Sequence, residues 1–422
     1  MIEPLYRSRP TAFEMLPATT VRNGPINDFI HLSEGNSNAY QIATPEGRII
    51  INTGMGFEGP MHREAFDAVA TGPIRYVIFT QGHVDHVGGA DQFVEEGTEI
   101  VAHAHNPAHQ AEDGLIAGFR ARRSYFAFAE SISRANAFIR EKLGGGVPGQ
   151  SRPTPTITFE DRLAFELGGL EVELLHAPGA ETRDSLLVWL PRQRICFTGN
   201  VFGALFGHFP NLVTIRGDRY RDALTYVSTL EKILALDAEM LLVGHHEPVV
   251  GAALVRSEVE RMRDAVLYVH DAVVAGMNEG KDVWTLMREI SLPPELEVGE
   301  GYGKIAWSVR AIWENFVGWF HHHSTTELYP VPPWSVHPDL CELAGGPEVI
   351  AEASRKKLAG GSPVEAIQLA EVALAADPSH VGAAAASLAA HEALLAQTRN
   401  FWETRWLVKE IQKLGRIAGP AE

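Results

Sequence analysis

The strand signal stops near residue 255, and this break constrains the fold more than any other feature of the sequence. Before it, short β-branched runs alternate with turns rich in Gly and Pro. The clearest runs are 48–52, 74–80, 170–175, 185–189 and 240–243. Beyond residue 255 the pattern is helical. Because strands followed by a long series of helices indicate separate layers or domains, we predict an α/β half followed by an all-helical half.

Three segments carry a helical pattern. Residues 107–143 are rich in Ala and Arg and end in a Gly- and Pro-rich cluster, so we expect a helical insertion there. An apolar stripe at spacings of three and four predicts an amphipathic helix over 304–320; its members are Ile305, Val309, Ile312, Phe316 and Phe320. Ser362, Pro363 and Glu365 match a capping box that opens an Ala-rich helical-hairpin array.

Composition excludes several classes of protein. The 422 residues suffice for two or three domains. Thirty-six basic against 53 acidic residues give a net charge of −17, which repels nucleic acid. Cys196 and Cys341 are too few for a disulfide framework, and no apolar run approaches the length of a membrane span. We therefore expect a cytoplasmic protein with no nucleic-acid or membrane partner.

The stretch 81–89 contains the candidate metal ligands. It follows the strand that ends at Thr80 and places His83, Asp85 and His86 within four residues, before two glycines that permit a tight turn. Imidazole and carboxylate are normal ligands of zinc or a similar divalent cation. Most of the 18 histidines fit a surface or core role better. For His83, Asp85 and His86 together, a metal site is the better interpretation.

This stretch resembles the T-H-x-H-x-D-H-x-G-G signature of the metallo-β-lactamase superfamily. Segments 211–217, 244–248, 301–320 and 343–346 resemble, in that order, the alkyl sulfatase branch with its helical dimerisation region. The resemblance implies an αββα metallo-β-lactamase sandwich followed by an all-helical C-terminal region. We expect a catalytic domain at 1–255, a dimerisation region at 256–346 and a helical-hairpin region, similar to tetratricopeptide repeats, at 347–422.

The resemblance also implies metal ligands and substrate contacts. The implied ligands are His83, Asp85, His86, Glu181 and His245, with Gln81 and Asn200 at two further ligand positions of the family. Glu181 has an alternative role as a surface acid in a turn. His246 competes with His245, and only one of these neighbours should face the metal. Asn211 and Arg216 match residues that hold the sulfate, although an ion pair elsewhere is an alternative for Arg216.

Two departures weaken the first metal position. Gln81 stands where the family has its first histidine, and Asn200 stands where a carboxylate bridges two ions. Asn52 also replaces a common aspartate, one with a structural role. Since an amide is a weaker zinc ligand than imidazole, we expect one tightly bound Zn²⁺ or another divalent cation, with a second ion weak or absent.

The predicted function is a metal-dependent hydrolase. A metal-activated water would attack a small sulfate ester or a related ester or ether, with Asp85 as the catalytic residue that holds the metal and orients the water. The alternative is a catalytically altered or inactive subunit that pairs with an active paralogue; a scaffold role rests on the Ala-rich array alone. Aromatic residues at 304–320 and 330–334 predict a homodimer. We interpret His321–His323 as a solvated turn, and His103 and His105 as exposed rim residues.

Overall fold

The computed structural model describes residues 2–9, 11–14, 23–144, 146–202 and 209–419. These residues form two compact units, Met1–Asn315 and Phe316–Glu422. The three-part division at residues 255 and 346 stays a prediction. None of the described helices is both long and apolar enough to cross a lipid bilayer.

The first unit contains two β-sheets. The strands of the first sheet, in spatial order, are β1 (Asn23–Pro25), β2 (Ile30–Ser33), β3 (Ala39–Thr44), β4 (Gly47–Ile51), β5 (Ile74–Ile78), β6 (Glu99–His103) and β7 (Ile157–Phe159). Those of the second are β8 (Arg162–Leu167), β9 (Leu170–His176), β10 (Leu186–Leu190), β11 (Ile195–Gly199), β12 (Met240–Val243) and β13 (Val249–Val250). Strands β4 to β7 run parallel, as do β11 and β12, and the other neighbouring pairs are antiparallel.

Helices cover the outer faces of the sheets and form the second unit. In the first unit they are α1 (Gly59–Asp67), α2 (Val84–Val87), α3 (Asn106–Leu115), α4 (Ala117–Leu143), α5 (Ala223–Leu236), α6 (Ala252–Asn278), α7 (Val283–Glu289) and most of α8 (Ile305–Val317). The second unit contains α9 (His337–Leu343), α10 (Pro347–Ala359), α11 (Pro363–Ala376), α12 (Val381–Leu395) and α13 (Phe401–Ala418).

Alternation along the central strands explains the layers of the first unit. Ile49 and Ile51 point into the core between the sheets, whereas Ile50 joins a separate core with Phe66 of α1. On the second sheet, Leu187 packs in the core that includes α5 and α6. Strands that are apolar on both faces require cover on both faces, and the result is the predicted αββα sandwich.

The second unit is built from helical hairpins that pack through small side chains. Ala351 of α10, Ala373 of α11 and Ala383 of α12 are buried in one cluster with Cys341 and Ile350. Alanine at these positions allows the helices to approach closely, and little apolar area is buried by each residue. The structure thus confirms the predicted Ala-rich helical array.

Local predictions were confirmed in outline and wrong in detail. The helical insertion at 107–143 forms two helices, α3 and α4, and the second ends at Gly144 with a φ of 64°. The helix expected over 304–320 ends at Val317, and Phe316 is 60% exposed. The capping box at Ser362 does not form, because Ser362 makes no side-chain capping bond and the helix begins with Pro363 instead.

Candidate metal centre

Thr80 anchors the candidate metal loop to both sheets. The side chain of Asn52 accepts a hydrogen bond from Thr80 N at 3.0 Å and donates one to Thr80 Oγ1 at 3.0 Å. Leu186 N, at the start of β10, donates to Thr80 O at 2.9 Å. Asn52 has a φ of 58°, a conformation that Asn tolerates better than most residues. Asn52 therefore holds the segment after β5 where the loop begins.

Helix α2 presents the central residues of the loop. His86 O accepts a hydrogen bond from Thr53 N at 2.8 Å, and Asp85 O accepts one from Ser37 Oγ. Two glycines follow the helix where the backbone packs most closely. A Cβ atom on Gly89 would overlap Thr53 O, and one on Gly88 would overlap the side chain of Gln150. The loop is thus fixed from several directions before any ion binds.

Asp85, His86 and His245 come together at this edge of the sandwich. One ligand atom from each lies within 4.8 Å of the other two. Asp85 Oδ2 is 3.5 Å from His86 Nε2 and 3.9 Å from His245 Nε2. Both nitrogens of His86 and the Nδ1 of His245 are buried without a hydrogen-bond partner in the structure. Two imidazoles and a carboxylate with unused lone pairs form a donor set that fits a divalent cation.

The electrostatics of this cluster favour the metal-binding protonation states. Burial lowers the pKa of His245 to about 3 and also lowers the pKa of His86, so both rings are neutral at pH 7. Burial alone would raise the pKa of Asp85, but the neighbouring histidines and Arg216 outweigh it and hold this pKa at about 2. Neutral imidazole and ionised carboxylate are the forms that coordinate metals.

His246 faces away from this cluster. Its Nδ1 lies 3.7 Å from Glu34 Oε1, and its φ of 59° turns the backbone immediately after His245. Neighbouring side chains consequently point to different sides. The structure places His245, of the two competing histidines, beside Asp85 and His86.

His83 and Glu181 lie outside the three-residue cluster. His83 Nδ1 is 3.0 Å from Gln81 Nε2 and 3.5 Å from Glu181 Oε2. The Gln81 amide thus lies against the Nδ1 side of the His83 ring, and Nε2 on the other side faces Asp218 Oδ2 at 3.7 Å.

A buried arginine neutralises Glu181. Arg221 places both terminal nitrogens 3.2 Å from the two carboxylate oxygens, a bidentate ion pair between side chains that are 5% and 11% exposed. The carboxylate predicted as a metal ligand therefore already has a cationic partner. Bringing a divalent cation to the same oxygens would place it close to this guanidinium.

Asp218 is a residue that the sequence analysis missed. Burial would raise its pKa, but His83, Arg221 and Arg120 hold the pKa of Asp218 far below the usual range. Arg120 NH2 reaches Asp218 Oδ1 at 3.2 Å and Asp113 Oδ1 at 3.0 Å. Its only signal in the sequence is its position two residues after Arg216. The region predicted as the first metal position thus contains a network of ion pairs.

Asn200 lies at the end of β11, beside the end of β12. It is buried, its Oδ1 has no hydrogen-bond partner in the structure, and a Cβ atom on Gly244 would overlap that oxygen. The amide therefore packs against the residue that precedes His245. This amide oxygen carries no charge, so as a metal ligand it would contribute less to cation binding than a bridging carboxylate would.

Arg216 and Asn211 occupy the loop between β11 and α5. Asn211 is buried, and its backbone oxygen accepts a hydrogen bond from Arg221 NH1 at 2.8 Å. The Arg216 guanidinium forms no ion pair with any carboxylate that the structure describes, and its Nε is buried without a partner. Arg216 lines a cavity of about 420 Å³ together with Asp85 and His83. An unpartnered guanidinium in such a cavity is suited to bind an oxyanion.

Tyr302 is a second residue that the sequence analysis did not single out. Burial raises the pKa of its phenol to about 12, and the charges of Arg216, Glu181 and Asp85 also act on it. The phenol is neutral at pH 7 and retains its O–H donor. The Gly residues on both sides of Tyr302 were the only sequence signal, and they did not indicate its orientation.

Of the remaining predictions about histidines, one is wrong and two are confirmed. His103 was expected at an exposed rim, which is wrong: it is 2% exposed, its Nε2 contacts Glu160 O at 2.7 Å, and its ring stacks on His176 with centroids 3.8 Å apart. His105 is exposed, as predicted. His321–His323 form the predicted solvated turn, where the backbone N–H groups of His321 and His323 donate to Glu327.

Comparison with known families assigns the class of protein. Residues 32–245, half of the chain, match the metallo-beta-lactamase superfamily. The chain belongs to this superfamily, as the sequence analysis predicted. Residues 284–415 match the alkyl sulfatase dimerisation family.

Two curated relatives are alkylsulfatases. The chain is 29% identical to the linear primary-alkylsulfatase of a Pseudomonas species over 352 residues, which cover 80% of this chain and 66% of that protein. It is 25% identical to the alkyl/aryl-sulfatase BDS1 of Saccharomyces cerevisiae over 310 residues, covering 68% and 47%. The chain therefore spans less than two thirds of the length of these relatives.

Solved structures of the sec-alkylsulfatase Pisa1 share the fold. The protein from a Pseudomonas species aligns with a TM-score of 0.80 at 21% identity, covering 99% of this chain and 70% of that chain. A double mutant of this sulfatase gives a TM-score of 0.82 at 22% identity, covering 95% and 66%. This likeness confirms the predicted fold, a sandwich followed by a helical C-terminal region.

Proposed function

We propose that the chain is a metal-dependent hydrolase that cleaves small sulfate esters. One observation carries the proposal: a potential metal-binding cluster, Asp85–His86–His245, lies beside the unpartnered guanidinium of Arg216. Asp85 and Arg216 line the same cavity. The named activities of the curated relatives support sulfate as the oxyanion.

Asp85, His86 and His245 would hold the cation, with zinc the commonest choice for this donor set. A divalent cation there would supply Lewis-acid chemistry and would lower the pKa of water. The fit rests on buried nitrogens that otherwise lack partners. Burial of an imidazole without a hydrogen bond is costly, and coordination removes that cost.

The protein groups have separate roles in binding and orientation. Arg216 donates to the sulfate oxygens from a fixed, permanently charged fork, and Asn211 adds an amide donor on the same loop. Asp85, with a pKa of about 2, stays ionised and accepts a hydrogen bond from water. So weak a base orients the water more readily than it retains its proton.

The charges of Arg216 and Asp85 act on the phenol of Tyr302, which keeps its proton at pH 7. Water and the ester are consumed together, and an alcohol and inorganic sulfate are released.

Turnover and metal content test the proposal together. The purified chain is analysed for bound metal and then supplied with short alkyl and aryl sulfates, and released sulfate is measured by ion chromatography. Matched phosphate monoesters and carboxylate esters serve as controls. We expect metal-dependent release of sulfate that chelation abolishes and zinc restores. A metal-loaded protein that hydrolyses none of these sulfates would instead support the alternative of an inactive subunit.

We expect one tightly bound ion per chain, because the first metal position lacks both family residues. Gln81→His with Asn200→Asp restores an imidazole and a carboxylate, and adding Arg221→Met releases Glu181 from its guanidinium partner. Metal stoichiometry, measured after gel filtration, should rise from about one toward about two per chain, with the triple variant closest to two. Two ions that survive a mild chelator in the unmodified protein would contradict this expectation.

We also propose a homodimer formed through the region that matches the dimerisation family. Exposed apolar side chains are concentrated there, including Trp319 at 70% and Trp334 at 65% exposure. So much aromatic surface is unusual for a monomer in water. Light scattering at micromolar concentration should give a mass of about twice 46.2 kDa. Trp319→Ser with Trp334→Ser should shift it toward the monomer, and a monodisperse unmodified monomer would refute the proposal.

A further inference from the structure

The cavity beside Asp85 contains a second arginine that lacks a carboxylate partner. Arg152 and Arg216 both line it, and neither guanidinium forms an ion pair among the described residues. Arg120, the third arginine in the wall, is neutralised by Asp113 and Asp218. In a chain with 53 acidic and 36 basic residues, an arginine without a partner is notable beside a substrate cavity.

Hydrogen bonds of Ser151 and Pro153 hold the backbone on both sides of Arg152. Ser151 N donates to Gly88 O at 2.8 Å, and Ser151 Oγ accepts from Asp91 N at 3.1 Å. On the other side, Pro153 O accepts a hydrogen bond from Gln110 Nε2 at 3.0 Å. The backbone of Arg152 is therefore anchored to the metal loop and to α3, so its side chain begins from a defined position.

Gly114 makes room for this side chain. A Cβ atom on Gly114 would lie 2.9 Å from NH1 of Arg152, so the guanidinium passes directly over a position of α3 that has no side chain. The Arg152 guanidinium therefore lies close to the last turn of α3.

We propose that the substrate carries a second anionic group, which Arg152 binds while Arg216 binds the sulfate. This inference rests on the proposed function for the identity of the first anion. The cavity volume of about 420 Å³ limits the substrate to a small molecule, and Met55, Val84 and Ala121 offer an apolar wall for a short spacer. A sulfate ester of a short hydroxy acid has the required chemistry: sulfate, a few methylene groups and a carboxylate.

Sulfonates test binding without turnover, because their C–S bond is not hydrolysed like an ester. The two probes are butane-1-sulfonate, with one charge, and 4-sulfobutanoate, in which a carboxylate replaces the terminal methyl group. Titration calorimetry with the zinc-loaded protein should show about tenfold tighter binding of 4-sulfobutanoate, as expected for one added charge-assisted ion pair. The preference should shrink as salt is raised, since Arg152 is exposed.

Three variants test whether Arg152 causes the preference for 4-sulfobutanoate. Arg152→Gln should bind both probes equally, and Arg152→Lys should retain part of the preference because it keeps the charge. Arg192→Gln, which alters an exposed arginine on the β10–β11 hairpin, is the matched control and should keep the full preference. Equal binding of the probes by the unmodified protein, or an equal loss for both probes in Arg152→Gln, would overturn the inference.

The proposed function and the second-anion inference can fail independently of each other. A tenfold preference that Arg152→Gln removes, in a protein that hydrolyses no sulfate ester, leaves the two-anion ligand established and refutes the reaction. Hydrolysis of butyl sulfate and of its 4-carboxylate analogue with the same kcat/KM supports the reaction and overturns the second anion.

Discussion

Asp85→Ala and His86→Ala should each remove the bound ion and lower the hydrolysis of sulfate esters by about a thousandfold or more. Each variant deletes one of three donors that meet within 4.8 Å, and the described residues provide no other group of three His, Cys, Asp or Glu ligand atoms this close together. Two remaining donors cannot hold zinc tightly. Metal content by mass spectrometry and sulfate release are measured on the same preparation.

The controls for these variants lie near the loop but outside the cluster. Asp91→Ala removes a carboxylate shortly after the loop, and His105→Ala removes an exposed histidine. Both proteins should keep one ion and most of their activity, and circular dichroism should show that all four variants fold. If Asp85→Ala and His86→Ala retained full metal content and turnover, the assignment of this site would be wrong.

Arg216→Gln should lower kcat/KM for sulfate esters by about a hundredfold while metal content stays unchanged. A charged hydrogen-bonding partner of an oxyanion typically contributes about 1.5–3 kcal/mol, which corresponds to this range. Arg216→Lys should recover only part of the loss, because a point charge does not reproduce the planar fork. Steady-state kinetics across substrate concentrations distinguish weaker binding from slower turnover.

Arg219→Gln provides the matched control for Arg216. Arg219 lies on the same loop, but its side chain is 77% exposed and pairs with Glu112 at 3.4 Å. Its removal should leave kcat/KM within about twofold. An Arg216→Gln protein with unchanged kcat/KM would show that the oxyanion binds elsewhere in the cavity.

The strands and the centre of the metal cluster were predictable because their signals are local. Residues 240–243 form β12 with the predicted bounds, and Asp85 and His86 are adjacent in the sequence. The choice between His245 and His246 was not local. It depends on the positive φ of His246 and on Glu34, which lies 212 positions earlier in the chain.

The ion-pair network around His83 could not be predicted from spacing. Its members come from separate elements: Arg120 from α4, Glu181 from the loop after β9, and Asp218 and Arg221 from the segment before α5. In the sequence, Arg120, Asp218 and Arg221 look like ordinary charged residues, which are common on surfaces, whereas Glu181 was expected to bind a metal. Only tertiary packing shows that they are buried together, and for the same reason Tyr302 and Arg152 were not singled out.

The three predicted metal ligands follow strands of two different sheets. Asp85 and His86 follow β5 of the first sheet, whereas His245 follows β12 of the second. An ion held by all three therefore connects the two sheets, and thermodynamic linkage makes its affinity part of the stability of the sandwich. A free concentration a thousand times Kd adds about 4 kcal/mol to the unfolding free energy. Metal supply would then set both the number of active molecules and their lifetime before unfolding.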